Sequence, residues 1–352
     1  MKISGTKMFV SGSSVFNQSC SVDRQSCVSI PQRLPLLGKV VKVVFSWSNV
    51  GILENIEENS NLKVFGFQRG GGDNGTTTLE DVHDVTISWD CLVVLDKDGR
   101  CTAYKTGKDG NEEVLCKSEN FKSISAGDSH LIGLKENGTV YSMELPAHEL
   151  IPKEVAVGIP VRTVTCGKEH TLLLTGYGSV YSLGAGSRAQ LGLGNVDVDP
   201  VKSPRLIESL EGIIINQLSA GGWHSAAVSD GGDLYLWGWN ESGQLGFPSK
   251  SVEHSPGRDD VSFLPTPTLL DIGEEEIKKV ACGSRHTAAL TEHNDVYTWG
   301  WNAYGQLGLG DTQTRDQPTQ VQYFKDNGLV VEDIFCGGWN SGFVTRNTQK
   351  VP

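Results

Sequence analysis

Four of the eight histidines stand in the same local setting: Ala-Gly-Asp-Ser-His130, Cys-Gly-Lys-Glu-His170, Ala-Gly-Gly-Trp-His224 and Cys-Gly-Ser-Arg-His286. Imidazole is the usual acid–base group near neutral pH and the commonest metal ligand, so a recurring histidine raises both chemistries. A zinc site needs its nitrogens at about 2 Å from one ion. Separations of 40, 54 and 62 residues instead put one histidine in each of several similar units. Equivalent positions in units related by rotation do not converge on an ion unless they point into a narrow axis. We therefore expect each imidazole to make a hydrogen bond that fixes one unit to the next.

Other candidate chemistry is weaker. The neighbouring carboxylates Glu57-Glu58, Glu112-Glu113 and Glu274-Glu-Glu276 lie in turns or charge runs, where solvated surface is the expected role. Gly305-Gln-Leu-Gly-Leu-Gly310 has no following helix pattern and no Lys-Ser/Thr, so it reads as turns rather than a phosphate cradle. There is no Gly-x-Ser-x-Gly elbow, no His-Glu-x-x-His pair and no Cys-x-x-Cys. The eight cysteines are expected to be mostly free thiols, and Cys166, Cys282 and Cys336 each precede a glycine, as small buried residues on a recurring strand would. No catalytic, cofactor-binding or metal residue is assigned, and the expectation is a protein that is not an enzyme. With 30 Lys plus Arg against 42 Asp plus Glu, the net charge of −12 also argues against direct nucleic-acid binding. No apolar run approaches the roughly 18 residues of a membrane span, and Met1 to Val10 lacks a secretory core, which makes an intracellular location the default.

The elements that carry these histidines repeat. After His170, His224 and His286 come Ser179-Val-Tyr-Ser-Leu-Gly184, Asp233-Leu-Tyr-Leu-Trp-Gly238 and Asp295-Val-Tyr-Thr-Trp-Gly300, followed by Ala189-Gln-Leu-Gly192, Gly243-Gln-Leu-Gly246 and Gly305-Gln-Leu-Gly308. Weaker copies extend the array to anchors at Asn49, Cys91, His130 and Asn340, giving seven units of about 50 residues. Within a unit, an apolar run, a polar turn, a strand ending in Trp-Gly, a glycine-rich loop and a proline-led strand read as four antiparallel strands. Glycine, at 42 of 352 residues, fits many tight turns. The predicted fold is all-β: one seven-bladed β-propeller over 1–352, with strong repeats at 164–346 and degenerate ones at 7–163. Few residues follow Asn340, and Lys7-Met-Phe-Val-Ser-Gly12 is an unassigned strand, so the N-terminal strand is expected to close the ring. All eight tryptophans fall in repeat columns, which predicts packing between blades.

Trp237-Gly-Trp-Asn-Glu-Ser-Gly-Gln-Leu-Gly246 and Trp299 to Gly308, paired with Ala/Cys-Gly-x-x-His-Ser/Thr, resemble the repeat of the regulator of chromosome condensation family, most closely its small single-propeller members. The resemblance covers about 164–346. It implies a non-enzymatic scaffold in the nucleus, associated with chromosomes through a protein partner, with the cytoplasm as a second location. That partner would be a Jumonji-domain, 2-oxoglutarate-dependent histone demethylase or hydroxylase, and the setting histone methylation control and chromosome segregation. The founding member's exchange of guanine nucleotide on a Ran-type GTPase is the alternative reading. It rests on loops and a basic tail that have no counterpart here, and the first units have mostly lost the Gly-Gln-Leu-Gly loop.

Two features exceed the repeat. Trp239 and Trp301 are extra aromatics in equivalent loops, and Tyr304 follows in the second. They are candidate partner-binding residues, since interface anchors are enriched in Trp, Tyr and Arg; packing as core against neighbouring blades is the competing reading. The polar, Ser/Pro-rich insertion 247–260 reads either as a surface loop without a role or as a binding or phosphorylation segment.

Overall fold

The computed structural model describes residues 6–13, 27–34, 36, 38–46, 49–56, 59–66, 76–88, 91–105, 113–116, 120–145, 149–196, 199–252 and 259–347. The chain enters through β1 (Lys7–Ser13) and β2 (Cys27–Leu34). Blade one is then β3 (Lys39–Phe45), β4 (Asn49–Ile56), β5 (Asn59–Gly66) and β6 (Thr76–Glu80). Blade two is β7 (Val82–Ile87), β8 (Cys91–Asp96), β9 (Cys101–Lys105) and β10 (Glu113–Leu115). Blade three is β11 (Ser123–Ala126), β12 (His130–Leu134), β13 (Val140–Glu144) and β14 (Lys153–Val155). Blade four is β15 (Val161–Cys166), β16 (His170–Thr175), β17 (Val180–Gly184) and β18 (Val201–Leu206). Blade five is β19 (Ile215–Ala220), β20 (His224–Ser229), β21 (Leu234–Trp239) and β22 (Phe263–Leu270). Blade six is β23 (Ile277–Cys282), β24 (His286–Thr291), β25 (Val296–Gly300) and β26 (Arg315–Gln320). The chain ends on β27 (Leu329–Gly337) and β28 (Asn340–Asn347).

Blade seven has the order β2-β1-β28-β27, so both ends of the chain complete one sheet and the predicted seven-bladed ring is closed. Lys7 to Gly12 pairs antiparallel with Thr345 to Asn340, at the seam the sequence indicates. The outer strand β2, which carries Pro31, was not anticipated. Like Pro204, Pro265, Pro267 and Pro318 in β18, β22 and β26, Pro31 sits on an outermost strand, where a missing N–H does not break an interior ladder.

Every anchor residue opens the second strand of its blade. In β16, β20 and β24 all six residues are buried, because both sheet faces are covered by neighbouring blades. That explains continuous runs such as Leu172-Leu-Leu174 in place of alternation. The core is divided into seven apolar clusters, each filling one gap between adjacent blades. Met8, Val10 and Leu34 meet Val40 and Val43 of blade one, while Phe9 joins Leu290, Val321 and Phe324 of blade six, so the closing strand supplies two of the seven.

The anchor histidines tie blade to blade. Nε2 of His130, His170, His224 and His286 lies 3.1, 2.9, 3.0 and 3.0 Å from the hydroxyls of Thr171, Ser225, Thr287 and Ser341, each one residue beyond the next anchor. Ser225 donates its proton to the Gln190 carbonyl at 2.9 Å, and Thr287 to that of Gln244 at 2.7 Å. Each hydroxyl must therefore accept from a protonated Nε2, which fixes the tautomer and leaves Nδ1 bare. The same two carbonyls accept the indole N–H of Trp237 and Trp299, both fully buried, at 2.9 and 3.0 Å. The glycine three residues before each histidine is required by sterics: a Cβ on Gly167, Gly221 or Gly283 would fall on the imidazole.

Burial holds these imidazoles neutral, with His170 and His224 lowered to about 3 and His286 to about 4 from an ordinary 6.5. Between pH 6.5 and about 4 the unfolded chain gains protons that the folded one excludes. Stability therefore falls as pH falls, by about 1.4 kcal/mol per pH unit for each histidine. His286→Asn, which copies the residue blade seven already has at Asn340, is expected to remove about a third of that slope in denaturant titrations at pH 7, 6 and 5, whatever it does to absolute stability. Deleting residues 1–12 is expected to lower Tm by roughly 10 °C or more, or to give insoluble protein, because two clusters and the middle of one sheet are lost. A soluble deletion variant with unchanged Tm would show that the ring does not depend on this seam.

Candidate functional site

The loops between first and second strands and those between third and fourth strands share one face of the ring. The first set is laced from blade to blade: Asp128 N–H donates to Lys168 O at 2.7 Å, Lys168 N–H to Gly221 O at 3.2 Å, Gly222 N–H to Gly283 O at 3.1 Å, and Ser284 N–H to Gly338 O at 3.2 Å. The second set is tied to the first within each blade, Trp239 N–H to Trp223 O at 2.9 Å and Trp301 N–H to Arg285 O at 2.8 Å. Inside the second set, Asn240 and Asn302 accept the amides of Leu245 and Leu307 at 2.9 Å, and Gln244 and Gln306 accept those of Ser242 and Tyr304 at 2.9 and 3.0 Å. These bonds account for the Trp-Gly-x-Asn-x-x-Gly-Gln-Leu-Gly string. They leave the x after Trp-Gly, and the residue before each anchor, to vary.

In blades four to seven these positions and their loop neighbours carry alternating aromatic and cationic groups. Lys168 Nζ lies 4.8 Å and Arg188 Cζ 4.6 Å from the ring centre of Trp223. Trp223 meets Trp239 edge-on at 5.5 Å and 89°. Trp239 has Arg188 at 5.6 Å and Arg285 at 4.7 Å, and Arg285 reaches Trp301 at 5.9 Å. Trp301 then packs edge-on against Tyr304 at 5.4 Å and Trp339 at 4.7 Å. Each such contact contributes about 0.5–1.5 kcal/mol and orders the long side chains. All of these side chains are half-buried. The band borders the mouth of a central channel of about 270 Å³, whose lining includes Lys168, Trp339, and Cys166, Cys282 and Cys336. Burial pushes those three thiols up, to about 11, 12 and 12, and keeps them protonated.

The structure thus brings Trp239, Trp301 and Tyr304 to one surface. The expectation that all tryptophans pack between blades needs correction. Trp237 and Trp299 do so; Trp223, Trp239, Trp301 and Trp339 stand on the face instead, because their columns lie at or just beyond the strand ends. Trp47 and Trp89 lie outside the described residues. Lys168, Arg188, Trp223, Arg285 and Trp339 were not singled out from the sequence. Their signal was present in the residue before each anchor, where Glu169, Trp223, Arg285 and Trp339 break any consensus. The insertion 247–260 leaves directly from the Trp239 loop, and Asn240 Nδ2 clasps both of its ends, donating to Phe247 O at 3.1 Å, Pro248 O at 3.3 Å and Val261 O at 2.9 Å. Its residues 253–258 lie outside the described residues. The anchor histidines are buried among hydroxyls, and burial keeps them neutral near neutral pH. The band offers cationic heads, ring edges and amide donors, a chemistry of binding.

The RCC1-like domain model matches residues 72–351. Human RCC1 domain-containing protein 1 is 39% identical over 218 residues, 54% of this chain and 57% of that protein, so the match spans little more than half of the relative's length. Among solved structures, yeast Prp20p, studied for its binding to Gsp1p and histones, superposes with a TM-score of 0.82 at 19% identity, covering 98% of this chain and 92% of that one. Human WBSCR16 superposes at 0.78 with 18% identity, covering 97% and 99%. These two likenesses speak for the fold. With four-fifths of its length under the family model and the repeat geometry in every blade, the chain belongs to the RCC1-like domain family.

Proposed function

We propose that this propeller is a non-enzymatic docking scaffold that binds a protein partner through the face carrying Trp239, Trp301 and Tyr304. The observation that carries the reading is the aromatic–cation band itself. Four consecutive blades contribute rings and charges to one continuous surface, built on loops whose backbones are fixed by hydrogen bonds. A surface that is already rigid loses little freedom on binding, and Trp, Tyr and Arg are the residue types that dominate interface energetics. Likeness to RCC1 domain-containing protein 1 supports the finer reading of a nuclear, chromosome-associated scaffold, with a Jumonji-domain 2-oxoglutarate oxygenase as the partner in histone methylation control and chromosome segregation. The test is capture of such an oxygenase domain by wild-type protein and by Trp301→Ala and Tyr304→Ala. Tyr304→Ala is expected to keep Tm within a few degrees and to weaken capture by about 1–2 kcal/mol or more. Wild-type affinity in both variants would remove this face as the docking surface.

Guanine-nucleotide exchange is the competing function. The purified protein is expected to leave the release of labelled GDP from a Ran-type GTPase unaccelerated at micromolar concentration. Acceleration by orders of magnitude would reverse the ranking.

A further inference from the structure

We infer that the band recognises an extended acidic segment of a partner protein, read by Arg188 and Arg285, with the tryptophans acting as splints for the arginines. The inference rests on the docking reading above and specifies what the face binds. An incoming partner does not meet bare indole rings here. Trp223 is already covered by Lys168 and Arg188, and Trp239 by Arg188 and Arg285. Stacking engages the flat face of a guanidinium and leaves the N–H groups of its edge in the plane, where a carboxylate can accept two of them side by side.

Among the described residues those edges meet no acceptor: neither Arg188 nor Arg285 makes a side-chain hydrogen bond or an ion pair, whereas Arg315 and Arg346 pair with Asp311 and Glu332. The contrast is informative in a protein with 42 carboxylates against 30 basic side chains. Two carboxylates on loops of the same face do not pair with them: Glu169 accepts the indole N–H of Trp223 at 2.9 Å, and Glu241 is exposed. Two like charges are held on a single indole, no more than about 10 Å apart. An anion supplied from outside completes that arrangement. In an extended chain, side chains two positions apart share a face and are separated by roughly 7 Å, which fits acidic residues at i and i+2. A polyphosphate is the poorer match. The rings meet edge-on, without parallel faces on which the bases of a nucleic acid could stack.

The test uses the full chain and a fluorescein-labelled 12-residue peptide in which Asp or Glu alternates with Val or Gly, followed by anisotropy at 50 and 300 mM salt. The comparison probe replaces every acid by Asn or Gln. The acidic probe is expected to bind about tenfold or more tightly than the amide probe, and to weaken as salt rises. Arg188→Gln and Arg285→Gln should each lower its affinity about fivefold or more while Tm falls by no more than a few degrees. Lys202→Gln, exposed on the outer strand β18, should bind as wild type. No binding of the acidic probe, equal binding of the amide probe, or wild-type affinity in both arginine variants overturns the inference. So does a single-stranded DNA oligonucleotide that outcompetes the peptide, or a wild-type dimer that Arg285→Gln makes monomeric, since either gives the arginines another occupant. If the arginine variants capture the oxygenase normally while Tyr304→Ala does not, the acidic segment is wrong and the docking face stands; if all three capture it normally, both fall.

Discussion

One backbone carbonyl per blade, that of the glutamine in the Gly-Gln-Leu-Gly loop, holds the strongest part of the ring together. Gln190 and Gln244 each accept from a hydroxyl and an indole of the following blade, and that hydroxyl in turn accepts from the histidine of the blade to which the glutamine belongs. At Gln306 the next blade is the composite one, and Ser11 occupies the column of the buried tryptophan, donating to the carbonyl at 3.3 Å. The motif is therefore a property of pairs of blades. The histidine, the hydroxyl, the tryptophan and the glutamine carbonyl each meet a buried polar group of the neighbouring blade, and an unpaired buried polar group is expensive.

This arrangement separates positions that hold the ring from positions that are free to carry function. Glycine before the histidine, the histidine, the hydroxyl after it, Trp-Gly and Gln-Leu are all engaged in the seams. The residue before each anchor and the one after Trp-Gly project from loops that are fixed at both ends but bind nothing in the seams. Tryptophan or arginine stands there in blades five to seven, and Arg188 of blade four stands three residues further along its loop, so carrying them costs the fold little. It yields a surface whose side chains are ordered before any partner arrives.

The same separation explains what could be read from the sequence. Seven units, their anchors and the closing strand were legible because the seam residues repeat in identity and order. The candidate residues Trp239, Trp301 and Tyr304 were legible as additions to the motif. Arg188 and Arg285 were not, since an arginine in a loop reads as ordinary solvated surface until the ring brings loops of different blades side by side. Arg285 meets Trp239, 46 positions away, only because the two blades are neighbours. The outer strand β2 escaped for a different reason: its partner in the sheet is β1, and Cys27 to Leu34 alone, interrupted by Pro31, shows no repeat landmark.

The far end of the band also depends on closure. Trp339, which packs on Trp301 and Tyr304, stands in the loop between β27 and β28, and its carbonyl accepts the amide of Ser13 at 3.1 Å. Gly12 fills the place of the glycine in Trp-Gly, where a Cβ would fall on that same carbonyl. The backbone of the N-terminal strand thus sets the height at which Trp339 meets the other two rings. The band spans four blades, but its last ring is positioned only when the first and last strands of the chain have paired. A complete aromatic–cation band therefore exists only on a closed ring, and an unfolded or half-closed chain presents arginines without the indoles that hold them.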